Sequence, residues 1–192
     1  MTLPNWVTLS RLLALPILLY CLENPTPEMR WLSVAVFLVA ALTDWVDGYL
    51  ARRLNQITDL GKFLDPLVDK LLVLAPLLSL IKLGQVPPWG VFLILARELT
   101  IAGWRVSPSL TGTTTIVGAN LWGKLKTVSQ IAAIALLIAP LPLAWELPTL
   151  VTFWVAVGLT LLSGAIYLLP TADKISSSSE KSISSVSRPD AK

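Results

Sequence analysis

Residues 44–69 read DWVDGYLARRLNQITDLGKFLDPLVD, and four of its five aspartates, Asp44, Asp47, Asp65 and Asp69, fall at helical spacings within it. At about 100° per residue, Asp44, Asp47, Gly48, Ala51 and Arg52 fall within an arc of roughly 140° on a helix, and Gly61, Asp65 and Asp69 within roughly 80°. The spacing therefore predicts two helices, each with an acidic face, joined by a short loop over 53–60. An ionisable group at the centre of a membrane helix costs about 2.5–3.5 kcal/mol and is functional by default. If the surroundings of this segment are membrane, it is where the chemistry lies.

The surroundings have that character. Of 192 residues 54% are hydrophobic and only 14% charged, with a mean hydropathy of +0.70, where a soluble domain carries roughly 25% charged residues. Apolar runs near the ~20 residues of a bilayer helix fall at about 6–22, 31–49, 66–83, 88–106, 125–145 and 149–169. The expected fold is an all-α polytopic membrane protein with six transmembrane helices over residues 1–170. A Ser-rich tail over 171–192, with too little apolar surface to fold, is expected to be disordered and cytoplasmic. Arg11 and Pro16 break the first run, so it lacks the form of a signal peptide and is kept as a membrane or interfacial helix. Prolines at 25, 27, 87, 88, 108, 140, 142 and 148 sit at the proposed turns.

Lys and Arg are unevenly distributed between the runs. Arg52, Arg53 and Lys62 follow the second, with Lys70 just inside the third, and Lys124 lies between the fourth and fifth with Arg105 and Lys126 nearby, whereas the other connections hold Arg30 with Glu23 and Glu28, then Lys82, then Glu146. This asymmetry places both termini and the even-numbered loops in the cytoplasm. The N-terminus is too short for a transit peptide, so a prokaryotic cell (inner) membrane with the active site facing the cytoplasm is expected.

Composition also removes whole classes of chemistry. With no histidine in the chain, a His general base, a Ser-His-Asp triad and a His nucleophile are excluded. Cys21 is the single cysteine, which forbids an intrachain disulfide or a thiolate metal cluster and leaves it as a packing residue. The net charge of +3 comes from basic residues scattered between apolar runs, not the patch that nucleic acid requires.

Four carboxylates converge in an apolar setting only if something neutralises them. Oxygen donors without His or Cys select a hard divalent cation, Mg²⁺ or Mn²⁺, completed by water and substrate phosphate. Gly48 and Ala51 leave the acidic face without bulk, and Arg52 supplies a charge matched to phosphate. The residues thus describe a two-metal phosphate-transfer site at the cytoplasmic membrane surface. Aspartates that only cap helices or pair with Arg52, Arg53 and Lys70 would leave the small residues on the same face unexplained.

Asp44-x2-Asp47-Gly48-x2-Ala51-Arg52-x8-Gly61-x3-Asp65-x3-Asp69 resembles, at all eight positions and every spacing, the signature of the CDP-alcohol phosphotransferases. These are integral membrane enzymes that move a phosphatidyl or phosphoalcohol group from a CDP carrier to an alcohol. The resemblance implies six transmembrane helices, commonly a homodimer, and two divalent metals held by Asp44, Asp47, Asp65 and Asp69. It further implies that Gly48, Ala51 and Arg52, grouped here with Gly61, bind the CDP-lipid, and that Asp69 deprotonates the acceptor alcohol.

Three further segments, Pro4 to Arg11, Arg97-Glu98 with Arg105, and Gly123-Lys124-Leu125-Lys126-Thr127, are similar to the branch of that family whose acceptor is glycerol 3-phosphate. That acceptor is a dianion and must sit beside anionic CDP-diacylglycerol, so its pocket needs cations beyond Arg52. Arg97, Arg105, Lys124, Lys126 and Arg11 are the candidates. Each has a plainer alternative: positive-inside anchoring for the lysines, an ion pair with Glu98 for Arg97, and snorkelling to headgroups for Arg11. The alternative acceptors are inositol phosphate, serine and phosphatidylglycerol, and a different class, an ion carrier using the four aspartates, remains open. Residues 107–120, rich in Thr and Gly, carry no motif, and no role is assigned to the tryptophans beyond membrane interfaces.

Overall fold

The computed structural model describes residues 3–54, 59–106 and 121–186. Among the described residues there are six α-helices, α1 (Leu3–Glu23), α2 (Pro27–Leu54), α3 (Asp59–Lys82), α4 (Pro88–Val106), α5 (Leu121–Ile138) and α6 (Glu146–Val186), with a 3₁₀ turn at Leu143–Trp145 leading into α6. No strand occurs among the described residues, so the all-helical expectation holds for them.

The helix ends follow local chemistry. Thr26 caps α2, its Oγ1 accepting from the Met29 amide at 3.3 Å, and Pro27 follows at the first helical position, where no amide hydrogen is needed. At the end of α3 the Gly84 amide donates to Ile81 O and the Gln85 amide to Leu80 O, at 2.9 and 3.0 Å. This paired arrangement needs a left-handed residue, and Gly84 supplies it with φ of 70°.

Several boundaries differ from the sequence expectation. The fifth run was expected to reach 145, but α5 stops at Ile138, because Pro140 and Pro142 lack the amides that would continue it. Asp59 rather than 66 begins α3, which carries Pro66 and Pro76 within it. Of the expected loop over 53–60, residues 53–54 and 59–60 are helical, while 55–58, like 107–120, lie outside the described residues. Where a disordered tail was expected from 171, the backbone of α6 continues as helix to Val186. No Gly or Pro falls between 171 and 186 to end it; residues 187–192 lie outside the described residues.

In the bundle α1 packs on α2 and α3, α4 on α6, and α5 most extensively on α6. Leu18, Leu22, Phe37, Leu77, Leu80, Ile134, Ile138 and Phe153 are buried at its centre. Cys21 is buried and free, as a packing residue should be. One end is tied by Arg30, whose Nε donates to Ile138 O at 2.7 Å and whose Nη2 donates to Leu137 O at 2.7 Å and to Gln85 Oε1 at 2.9 Å. A cation thus meets the carbonyls that the last turn of α5 leaves without intrahelical partners.

At the α4–α6 contact the ring of Phe153 lies directly on the backbone at Gly90, so close that an added Cβ would stand 2.5 Å from ring carbon Cε1. Gly90→Ala should therefore lower stability by about 1–3 kcal/mol through overpacking. Gly103→Ala, with nothing within 4 Å of the added carbon, should hold or gain up to about 1 kcal/mol. Thermal unfolding of the two variants in detergent checks this, and equal midpoints would refute the tight contact.

Candidate functional site

The helical backbone that the aspartate spacing requires is present: α2 runs unbroken through 44–52 and α3 through 61–69. Of the predicted metal and CDP-lipid residues, Asp44, Asp47, Gly48, Ala51, Arg52, Gly61 and Asp65 have side chains outside the described residues, as does Arg105. Asp69 is described, exposed on α3.

Asp69 lines a pocket between α3, α4 and α5. Its polar mouth is formed by Asp69, Lys70, Glu98, Lys126 and Thr127, and its apolar floor includes Leu77, Val91 and Ile94. The polarity gradient follows helix direction, since α3 leaves the mouth toward its apolar centre while α4 arrives from that centre. Glu98 is at the middle of the charge arrangement. Its Oε1 accepts from Arg97 Nη1 at 3.2 Å and also from Lys126 Nζ across the α4–α5 gap. All three side chains are largely buried, with exposures of 13% for Arg97, 17% for Glu98 and 11% for Lys126. Asp69 lies near enough for its charge to act on Lys126.

Arg97 is held from a third side. Its Nη2 donates to Ser163 Oγ of α6 at 3.0 Å, and its stem lies against Gly164, where an added Cβ would stand 2.9 Å from Arg97 Cγ. Arg97 Nε is buried with no hydrogen-bond partner among the described residues. One turn below Lys126, Gln130 Nε2 donates at 2.8 Å to Thr160 Oγ1, which itself donates to Ala156 O at 2.7 Å.

Of the five expected acceptor-binding residues, then, Lys126 lines the pocket with Asp69, and Arg97, outside the lining, is joined to Lys126 through Glu98. Lys124 is exposed and does not line this pocket. Arg11 is 3% exposed on α1 and is likewise not part of the lining; it faces the interior, so the headgroup-snorkelling alternative does not describe it. The ion pair weighed for Arg97 and Glu98 exists and extends to Lys126. Sequence reasoning missed Ser163, Gln130 and Thr160. Their signal was available, since a polar residue buried in an apolar run must find a partner.

The chemistry open to this arrangement is set by its charges. Arg97 and Lys126 with Glu98 between them leave a net positive charge in a desolvated cluster, and a further carboxylate, Asp69, lines the pocket that Lys126 and Glu98 share. That combination suits an anionic substrate carrying a hydroxyl to be deprotonated. The oxygen-only donors of α2 and α3, at helical spacing, fit hard divalent cations.

The family model for CDP-alcohol phosphatidyltransferases matches residues 1–162. A Bacillus subtilis protein named CDP-diacylglycerol–glycerol-3-phosphate 3-phosphatidyltransferase is 41% identical over 182 residues, covering 86% of this chain and 92% of the relative. Proteins of the same name from Rickettsia bellii and Pseudomonas fluorescens are 34% and 36% identical, covering 86% and 84% of this chain and 92% and 81% of the relatives.

Removing one member of a buried ion pair strands the other. Glu98→Gln and Lys126→Gln should each destabilise the protein, while the double variant should recover part of the loss, giving a coupling of about 1–3 kcal/mol. A thermodynamic cycle from unfolding in detergent measures it, and strict additivity would mean the pair contributes nothing as a unit.

Proposed function

The chain belongs to the CDP-alcohol phosphatidyltransferase family, and from that premise we propose that it transfers the phosphatidyl group of CDP-diacylglycerol to sn-glycerol 3-phosphate, giving phosphatidylglycerol phosphate and CMP. The observation that carries this reading is the pocket in which Asp69 faces Lys126, with Arg97 joined to Lys126 through one oxygen of Glu98.

Arg97 and Lys126 take the acceptor phosphate, with Arg105 alongside. The acceptor's primary hydroxyl oxygen attacks the phosphorus that bears the diacylglycerol. A new oxygen–phosphorus bond forms as the bond from that phosphorus to the CMP oxygen breaks, and the hydroxyl proton passes to the Asp69 carboxylate. A carboxylate of ordinary pKa near 4 is a weak base for an alcohol, so proton transfer accompanies attack rather than preceding it. Gly48, Ala51, Arg52 and Gly61 hold the CDP-lipid. The family generally uses divalent ions; two of them, Mg²⁺ or Mn²⁺, held by Asp44, Asp47, Asp65 and Asp69, would supply charge neutralisation at the diphosphate.

The family is typically membrane-embedded, and we read the six helices as transmembrane, in a prokaryotic cell membrane, with both termini and the pocket on the cytoplasmic side and the protein a homodimer. Residues 1–170 form the membrane domain, and 171–192 extend into the cytoplasm. Among the described residues Leu143–Ile166 is long and apolar enough to cross by length and composition. The other helices also turn large apolar side chains outward, among them Leu13, Ile17, Val39, Leu78, Phe92 and Val128, surface that water would penalise and lipid accepts. Exposed Trp31, Trp89 and Trp145 cluster by chain position at the end opposite the pocket, as an interfacial belt would. With 19 residues, α4 spans roughly 28 Å, close to the ~30 Å hydrocarbon core.

Purified protein supplied with CDP-diacylglycerol, Mg²⁺ and a panel of acceptors should release CMP with glycerol 3-phosphate and fall silent in EDTA. Preference for serine, inositol phosphate or phosphatidylglycerol would move the chain to a sibling activity, and ion flux in liposomes without any lipid-CDP donor would favour the carrier. Asp69→Asn keeps shape and removes the base, so turnover should fall by roughly 10²–10⁴. Near-normal turnover in that variant would place the base elsewhere.

A further inference from the structure

The acceptor reading rests on residues of α3, α4 and α5, yet Arg97 is anchored from α6, whose sequence carries no part of the family signature. An arginine side chain has five N–H donors. In Arg97 one goes to Glu98 and one to Ser163, and the Nε donor is buried against Gly164. Two N–H donors are left for a ligand, in a planar fork suited to phosphate oxygens.

What fixes the direction of that fork is α6. Ser163, 7% exposed, holds Nη2 at 3.0 Å, while Gly164, lacking a Cβ, lets the Arg97 stem pass directly over the helix backbone. An arginine restrained only by Glu98 would retain rotamer freedom about its long stem and would lose it on binding. We propose that Ser163 and Gly164 are positioning residues that set the Arg97 guanidinium for the phosphate of the acceptor. The inference rests on the reading that Arg97 binds that phosphate. It adds that the last helix, by shape at Gly164 and by one hydroxyl at Ser163, determines acceptor affinity without touching the acceptor.

Steady-state kinetics of the full-length protein in detergent test it. Ser163→Ala should raise the KM for glycerol 3-phosphate about three- to tenfold, the freedom of one long side chain. Gly164→Ala, whose new methyl meets the Arg97 stem, should raise it at least as far. The KM for CDP-diacylglycerol should stay constant in both, and Ser163→Thr, which retains the hydroxyl, should recover most of the loss. In an Arg97→Gln background Ser163→Ala should have no further effect, a result that general damage to the bundle would not give. If Gly164→Ala does not fold, the Ser163 variants carry the test alone. A raised acceptor KM in Arg97→Gln with none in Ser163→Ala overturns the inference and leaves the acceptor reading standing. An unchanged acceptor KM in Arg97→Gln overturns the reading and the inference with it. Donor and acceptor KM rising together in the Ser163 variants would show a structural role and overturn the inference alone.

Discussion

One carboxylate oxygen, Glu98 Oε1, accepts from cations on two helices, Arg97 of its own α4 and Lys126 of α5, and the rest of the polar end is arranged around that contact. Three charges exposed by less than a fifth each are tolerable only while they remain together, because separating them strands a charge in a low-dielectric wall. The relative positions of α4 and α5 at this end are therefore tightly constrained. Through Ser163 the constraint extends to α6, and α3 brings Asp69 to face it. The reacting groups sit on a frame that is itself electrostatic.

The opposite end solves a similar problem with different chemistry. Arg30 meets backbone carbonyls and a neutral amide, so that tie has no carboxylate partner that acid could protonate. Near it the Lys82–Glu23 pair, 71% and 61% exposed, contributes little, as surface pairs do. Between the two ends α4 and α6 pack through reciprocal clefts, Phe153 seated over Gly90 and Arg97 over Gly164. The same absence of a Cβ serves an aromatic ring in one place and a functional cation in the other.

How far this could be read from sequence depended on the range of the forces involved. Helix register around the aspartates is a local effect, fixed by residues a few positions apart, and was legible; the stop of α5 before Pro140 is just as local, yet the apolar run carried the reading on to 145. The chemical class was legible, because eight residues at fixed spacing carry it. Which cations share a pocket was not legible, since Lys124 and Lys126 differ by two positions and only the fold turns one inward. Ser163 and Gln130 were missed for the opposite reason: each was visible as a polar residue in an apolar run, but its partner lies 66 or 30 positions away. At the tail the Ser-rich composition suggested disorder, while the backbone of α6 runs on as helix to Val186.

Arg30 and Ile138 are 108 positions apart, and a ribosome delivers them in order. At about 5–20 residues per second, the guanidinium waits roughly 5 to 20 s after its own synthesis before the carbonyls of α5 exist to receive it. During that interval α2 to α4 are completed while this end of the bundle is open, and the closing residue belongs to the first hairpin rather than to the last. Assembly at this end is thus paced by translation, with the arginine made early and completed late.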